Sequence, residues 1–463
     1  MFPVYTSKAS MERRPMQRQA SARARVRPRV MPVVEDLEAR VVLYSASGNL
    51  WAHPELVTIS FMPDGTNFNG SSSNLFATFN ARFGSASAWQ NIVLKAAQVW
   101  AQQTNINFAV VSDNGSAVGS GSNQQGDSGF GDIRIGGYNL GATALAMAYS
   151  PPTANNYSVA GDVAFNTTKV FSSGSGNDLF TIATHEIGHA LGLLHSTVAA
   201  AQMYSTYNGV KPSLNADDVA GIRSIYSGGT ARTADAYNTG GNSNSTLNTA
   251  ADVTSVIDTT NLTGVVPDLD ITTAGQKENF TFTAPAGTNG TLNVVVQSSG
   301  LSLLAPKVTV YAADKTTVLG SANGLNKYGT TLTVTLTGVT AGTRYYVQVQ
   351  GADNTAFGTG AYAVALNFGA NPNPTISTPN TTTPNGNPLV SGGGIADTLP
   401  PAGSPDHDHD HAPGPRHRRG VANPAARPKP SLAPSNQPKT WRVLNGRSVS
   451  VVTAAELHRR NLA

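Results

Sequence analysis

Apolar side chains recur at two different periods along this chain, and the change from one to the other divides it. SAWQNIVLKAAQVWAQQT, from Ser87, sets Trp89, Ile92, Val93, Ala96 and Trp100 on one helical face behind a serine cap, which predicts a long amphipathic helix. LVTISFMPDG, NFAVV and DIRIGG have the character of strands, and the first stops at a turn dipeptide. A second helix is expected in the stretch around His185, capped by Asn177 or Asp178, with Ile182, Ile187, Ala190 and Leu194 turned to the sheet. From Ala250 to Ala370 the period is two. ENFTFTAP, TLNVVVQS, KVTVYAAD, TLTVTLTG, RYYVQVQG and AYAVALNF read as six short strands of a β-sandwich.

These patterns divide the chain into residues 1–48, a basic and largely disordered leader; 49–228, an α+β domain; 229–249, a Gly/Ser/Thr/Asn-rich linker of the flexible-tether type; 250–370, the sandwich; and 371–463, a Pro-, Thr-, Asn- and Gly-rich tail without periodicity.

The chemistry concentrates in HEIGHALGLLHS, from His185 to Ser196. On a helix of 3.6 residues per turn, His185 and His189 project from one face and can grip one ion. Gly192 permits a positive-φ exit that brings His195 round as a third ligand. Three nitrogens then leave one tetrahedral position for water, beside which Glu186 is placed. Satisfied histidines in a buried helix are the alternative, at the cost of burying three imidazoles without partners.

These residues resemble those of the metzincin peptidases, and among them the matrixins. Ser196 follows the third histidine as in that family, and Met203 with Tyr204 in AQMYS looks like its methionine turn. DDVAGIRSIY, from Asp217 to Tyr226, resembles its closing helix, while GDIRIGG from Gly131 and GDVAFN from Gly161 resemble strands ahead of the active helix. The resemblance covers roughly residues 50–228. It implies a twisted mixed sheet with a long helix and a zinc-binding helix, one catalytic Zn2+ on His185, His189 and His195, and hydrolysis of peptide bonds by a zinc-activated water with Glu186 as general base and then acid. Substrate would lie extended along the edge of Ala144–Tyr149, with Leu145 and Ala146 beside it. The loop Met203–Gly209 would wall a side-chain pocket with Tyr204 and Tyr207, for which ordinary packing is an equal alternative. The family's second, structural zinc is not expected, because its ligand positions correspond to Met147 and Ala164. Calcium would have to rely on Asp132 and Asp162, which are more readily loop hydrogen-bonding residues. Asp217 and Asp218 are read as a helix-start device.

Composition narrows the setting. The chain has no cysteine, which excludes disulfides and the cysteine-on-zinc latency of many matrixins. Residues 41–411 carry 12 basic and 22 acidic side chains, whereas the two ends together carry 19 basic and 5 acidic, so the overall charge of +4 belongs to the ends. A nucleic-acid function would have no fold behind it and is not expected. No apolar run is long enough for an ordinary signal peptide or a membrane span. Val34–Gly48 resembles a short segment that precedes the mature domains of large exported bacterial proteins, and the sandwich resembles the pre-peptidase C-terminal domain appended to bacterial secreted peptidases. A secreted or cell-surface bacterial endopeptidase acting on protein or peptide substrates is therefore expected, with surface or polymer contact through the sandwich or tail. The other class is a non-catalytic adhesion protein that retains a metal-binding scaffold. His407, His409 and His411 in the tail read as a solvated tract, and the final 24 residues as a short strand and helix of sorting type.

Overall fold

The long helix forms over Ala86–Ala101 (α2), preceded by a shorter one over Leu75–Phe83 (α1). Its cap is Ser85, two residues before the predicted start, whose hydroxyl accepts the Ala88 N–H. Trp89, Val93, Ala96 and Trp100 are fully buried, as the periodicity requires. α1 was not foreseen, since its own N-cap, Asn74, makes no side-chain bond. The first-turn N–H groups of Phe76 and Ala77 are instead satisfied by the carboxylate of Asp64.

The computed structural model describes residues 44–120, 125–152, 154–155, 157–239, 243–369, 374, 396–399, 442–444 and 447–449. Nearly all of the leader and most of the tail, including His407, His409 and His411, lie outside them. The leader's last residues do not behave as expected. Ser45–Ala46 (β1) pairs antiparallel with Leu193–Leu194, so the first domain begins by Tyr44 rather than at Asn49.

The first domain is α+β. Its sheet comprises Val57–Phe61 (β2), Phe108–Val110 (β3), Ile133–Tyr138 (β4), Ala146–Tyr149 (β5) and Val163–Asn166 (β6), in the order β3-β2-β4-β6-β5. The first four run parallel and β5 antiparallel. Val57, Ile59, Ile133, Ile135, Val163 and Phe165 form one core with the buried face of α2 and with Ile182 and Ile187 of Leu179–Ala190 (α3). The exit strand Leu193–Leu194 (β7) and the closing helix Ala216–Tyr226 (α4) complete the domain.

Ten strands, not six, follow: Ala251–Asp252 (β8), Ile257–Asp258 (β9), Thr263–Ile271 (β10), Lys277–Thr283 (β11), Thr291–Gln297 (β12), Pro306–Tyr311 (β13), Val318–Asn323 (β14), Thr331–Thr337 (β15), Arg344–Gly351 (β16) and Gly360–Asn367 (β17). They form two five-stranded sheets, β8-β11-β16-β13-β14 and β9-β10-β17-β12-β15. Phe280, Phe282 and Val347 from one, and Val294, Val364 and Leu366 from the other, share one apolar core. β10 escaped the pattern because Pro267 interrupts it. The pairing with β17 slips between Val266 and Leu269, with Asp268 at φ 56°, and this bulge breaks the alternation.

Among the described residues, three short pieces of the tail also pair. Arg442–Leu444 and Arg447–Val449 form an antiparallel ribbon within the expected sorting stretch. Ala396–Leu399 (β18) adds to the outer edge of β5, where no element was expected.

The linker is not a free tether. Arg232 within it is buried, and its guanidinium donates to the carbonyl of Ala101 at the end of α2, to those of Thr104 and Ile106 just beyond it, to Asn107 Oδ1, and to both oxygens of Asp270 on β10 at 2.7 and 2.5 Å. A cation thus closes the carboxyl end of α2 while its other edge is held by the second module. Gln98 donates to the Thr359 carbonyl, and Leu303, Ala305 and Phe357 join the core of the first domain. Next to this staple, Glu278 is buried near Asp235, and these two causes in that order push its carboxyl up to about 8. Tyr362 OH, Asn238 and Gln276 hydrogen-bond to it.

Removing one partner of a buried charge pair strands the other, so Arg232→Ala should lower stability by about 3–5 kcal/mol in denaturant unfolding; a loss below about 1 kcal/mol contradicts the staple. Glu278 has a folded pKa above its unfolded value, so its stabilising contribution is complete below the ordinary glutamate range and is lost as pH rises toward about 8. Glu278→Gln should therefore gain on the parent between pH 5 and 9, by on the order of 3 kcal/mol, in paired melting curves. Parallel curves would refute the assignment.

Candidate functional site

α3 is fixed at both ends before any ligand chemistry enters. Asp178 is its N-cap, accepting the N–H and hydroxyl of Thr181 at 2.9 and 2.7 Å and the Gly174 N–H at 2.6 Å. The last carbonyls of the helix, which have no partner within it, are taken by the Trp51 indole at Ala190 and the Tyr226 hydroxyl at Leu191, both at 3.0 Å. Trp100 of α2 reaches the Thr184 carbonyl at 3.0 Å. A helix held in this way cannot roll, and the side chains at 185, 186 and 189 keep one direction.

Gly192 then turns the chain. Its φ is +98°, and a Cβ there would stand 2.3 Å from the Asn49 carbonyl oxygen. The Gly192 carbonyl accepts the N–H and hydroxyl of Ser47 at 2.8 and 2.9 Å, and β1 pairs with β7 just before His195. The short N-terminal strand thereby aims the third histidine.

The three imidazoles converge. One nitrogen of each of His185, His189 and His195 lies within 4.8 Å of the others, and the ring centroids are 4.6, 5.3 and 4.9 Å apart. His185 Nδ1 lies 2.7 Å from the Gln202 carbonyl and His189 Nδ1 2.8 Å from the Leu193 carbonyl. A carbonyl only accepts, so each Nδ1 carries the proton and each Nε2 presents a lone pair. Those two Nε2 atoms stand 3.0 Å apart. Burial, followed by its histidine neighbours, holds His185 well below the usual imidazole range, so it is the neutral, ligating form that is favoured. Two lone pairs brought this close repel unless a cation lies between them, and three converging imidazoles are a donor set that suits zinc.

Met203, 2% exposed, packs against α3 at Gly188. A Cβ on Gly188 would meet its sulfur at 2.3 Å, so the helix is bare where the methionine passes. The turn itself is hung from Asp218, whose oxygens accept the N–H groups of Gln202, Met203 and Asn215 at 2.8, 3.1 and 2.8 Å. Asp218 also completes a capping box with Asn215 at the start of α4. The helix-start reading was therefore right but incomplete. A buried carboxylate positions the very residue, Gln202, whose carbonyl orients His185. Ser196 joins His195 to this turn, its N–H donating to the Met203 carbonyl and its hydroxyl to Asp217.

Glu186 is fully buried on α3 beside His185. The pocket residues separate. Tyr204 is partly exposed, with the Lys211 ammonium 5.6 Å from its ring centre. Tyr207 is packed in the core, its hydroxyl accepting the Asp178 N–H at 3.0 Å, which is the packing alternative. Leu145 and Ala146 are fully buried, so what β5 can offer a ligand is its backbone edge. A recess of about 360 Å³ beside the loop is lined by Ala199, Ala200 and residues 208–215, and by none of the histidines.

Met147 and Ala164 are direct cross-strand partners in an apolar cluster with Met62, Phe68 and Tyr149. The Asp132 carboxylate accepts from the Thr58 N–H and hydroxyl and from the Gly126 N–H at 2.7, 2.9 and 2.6 Å, which is loop fastening. Asp162 is buried with one oxygen on the Arg134 N–H.

The matrixin family model matches residues 76–227. The chain is 38% identical over 141 residues to the hatching enzyme of Paracentrotus lividus, covering 29% of this chain and 22% of that protein. It is 36% identical over 138 residues to karilysin of Tannerella forsythia, covering 30% and 28%. To matrilysin of Rattus norvegicus it is 34% identical over 143 residues, covering 29% and 49%. The chain thus spans about a fifth to a half of the length of these relatives.

Gly192→Ala should lower zinc affinity by about 10–100-fold, because it disturbs the support of a ligand, and should cost on the order of 2 kcal/mol or more of stability. Competition titration against a chromogenic chelator, with denaturant unfolding, measures both. Parent-like affinity would contradict the role of this turn.

Proposed function

We propose, on the matrixin domain formed by residues 76–227, that this chain is an exported zinc-dependent endopeptidase that hydrolyses peptide bonds of extracellular proteins. The observation that carries the reading is the convergence of three imidazoles with a buried carboxylate next to the first of them. His185, His189 and His195 would hold zinc, which when bound lowers the pKa of a water to about 7 and polarises a carbonyl.

The remaining work falls to the protein. Glu186 takes a proton from the attacking water and then delivers it to the leaving amine, which a poor leaving group requires. No covalent enzyme intermediate is needed. The backbone edge of β5 receives an extended substrate by main-chain hydrogen bonds, and the loop carrying Tyr204 and Lys211 offers side-chain contacts beyond it. Asp218 acts by holding Gln202, whose carbonyl keeps His185 in place.

Export is supported by the likeness of Val34–Gly48 to leader segments of exported proteins, and by that of residues 250–370 to pre-peptidase C-terminal domains. Among the described residues no helix is long and apolar enough to cross a membrane. The sandwich stands as an accessory module for surface or polymer contact, attached through Arg232.

Glu186→Ala should retain one zinc per chain and lose cleavage of casein by about 10²–10⁴-fold. Metal analysis together with a casein assay tests this. Full activity in the variant would remove Glu186 from the chemistry, and activity indifferent to chelators would remove the metal.

A further inference from the structure

β5 is the outermost strand of the first domain, and an uncovered edge presents a row of N–H and C=O groups ready to pair with another strand. That row is taken. Ala396–Leu399 (β18) lies antiparallel along it, with Ala396 opposite Tyr149, Asp397 opposite Ala148, Thr398 opposite Met147 and Leu399 opposite Ala146. The added strand also lies against α3, the helix that carries His185, Glu186 and His189. The opposite edge of the same sheet, β3, has no such partner among the described residues. Of two edges, the tail pairs with the one beside the candidate zinc site.

The sequence sets the ends of this strand. Gly392–Gly394 precede it and Pro400–Pro401 follow. Glycine weakens a strand and proline has no N–H to donate, so pairing is confined to a short window. Residues 370–395, between the sandwich and this window, can span on the order of 80 Å when extended, ample for reaching back to the first domain. The chain has no cysteine with which to cap a metal ion.

We propose that Ala396–Leu399 is a built-in peptide ligand of the β5 edge, competing with extended protein substrates for the place beside the zinc-binding helix. The competition rests on the peptidase reading above; the occupancy does not. Main-chain pairing supplies the attraction, and since the strand is part of the same chain it acts at a high effective concentration. A substrate must displace it, or the tail must be removed, before the edge is free.

The test uses the full chain with Asp397→Pro and Thr398→Pro together, which removes two adjacent N–H groups, and with Asp397→Ala and Thr398→Ala together, which keeps them. In a Glu186→Ala background, where self-cleavage does not intrude, hydrogen exchange is read at Ala146–Tyr149. The outward-facing amides should exchange at least about tenfold faster in the proline variant and at the parent rate in the alanine variant; equal rates in all three overturn the occupancy. With Glu186 intact, the proline variant should hydrolyse an extended fluorogenic peptide with KM lowered about tenfold and kcat unchanged. An unchanged KM despite altered exchange overturns the competition. Altered exchange with no hydrolysis by any of the chains supports the occupancy and refutes the peptidase reading instead.

Discussion

Everything at the candidate site depends on where two protons sit. Because carbonyls of Gln202 and Leu193 face the Nδ1 atoms of His185 and His189, both rings are fixed as the tautomer that turns a lone pair inward. The protein therefore spends its polar contacts on orienting ligands rather than on satisfying them. Gln202 is held by Asp218, Leu193 by its pairing with the segment at Ser45–Ala46, and α3 by indole and phenol groups from distant parts of the chain. Two lone pairs, those of His185 and His189, are thus turned toward each other at the point where the third imidazole converges.

The same economy explains why the two modules are not independent beads. The end of α2 leaves carbonyls that need donors, and the first module meets that need with an arginine from the linker whose charge is balanced by Asp270 of the second. Phe357 and Leu303 then cover apolar surface of the first core. A linker composed like a flexible tether becomes ordered because one buried guanidinium has partners on both sides.

Much of this was legible in the sequence, for reasons that can be located. His185, Glu186, His189 and His195 were visible because helix periodicity and a positive-φ glycine convert spacing directly into geometry. The α2 face was visible for the same local reason, whereas Met203 was marked only by the likeness of AQMYS to a methionine turn. The features that escaped are those whose partners lie far along the chain. The α1 start is capped by Asp64 and the end of α3 by Trp51 and Tyr226, while Asp218 looked like a helix cap because its reach to Met203 is a tertiary fact. β10 was hidden by a bulge at Pro267 and Asp268, and β18 by its brevity within a Pro- and Gly-rich stretch. Tyr207 shows the limit of position alone: it belongs to the predicted loop, yet its hydroxyl is used to hold the start of α3.

The central claim is that one zinc ion is held by the imidazoles of His185, His189 and His195. X-ray absorption at the zinc edge of the full chain, loaded with one equivalent of zinc, addresses it directly. The account predicts three nitrogen ligands at about 2.0 Å and one oxygen at about 2.0–2.2 Å, with the nitrogen count falling on His195→Ala. A shell of oxygens alone, or a spectrum unchanged by that substitution, would contradict it.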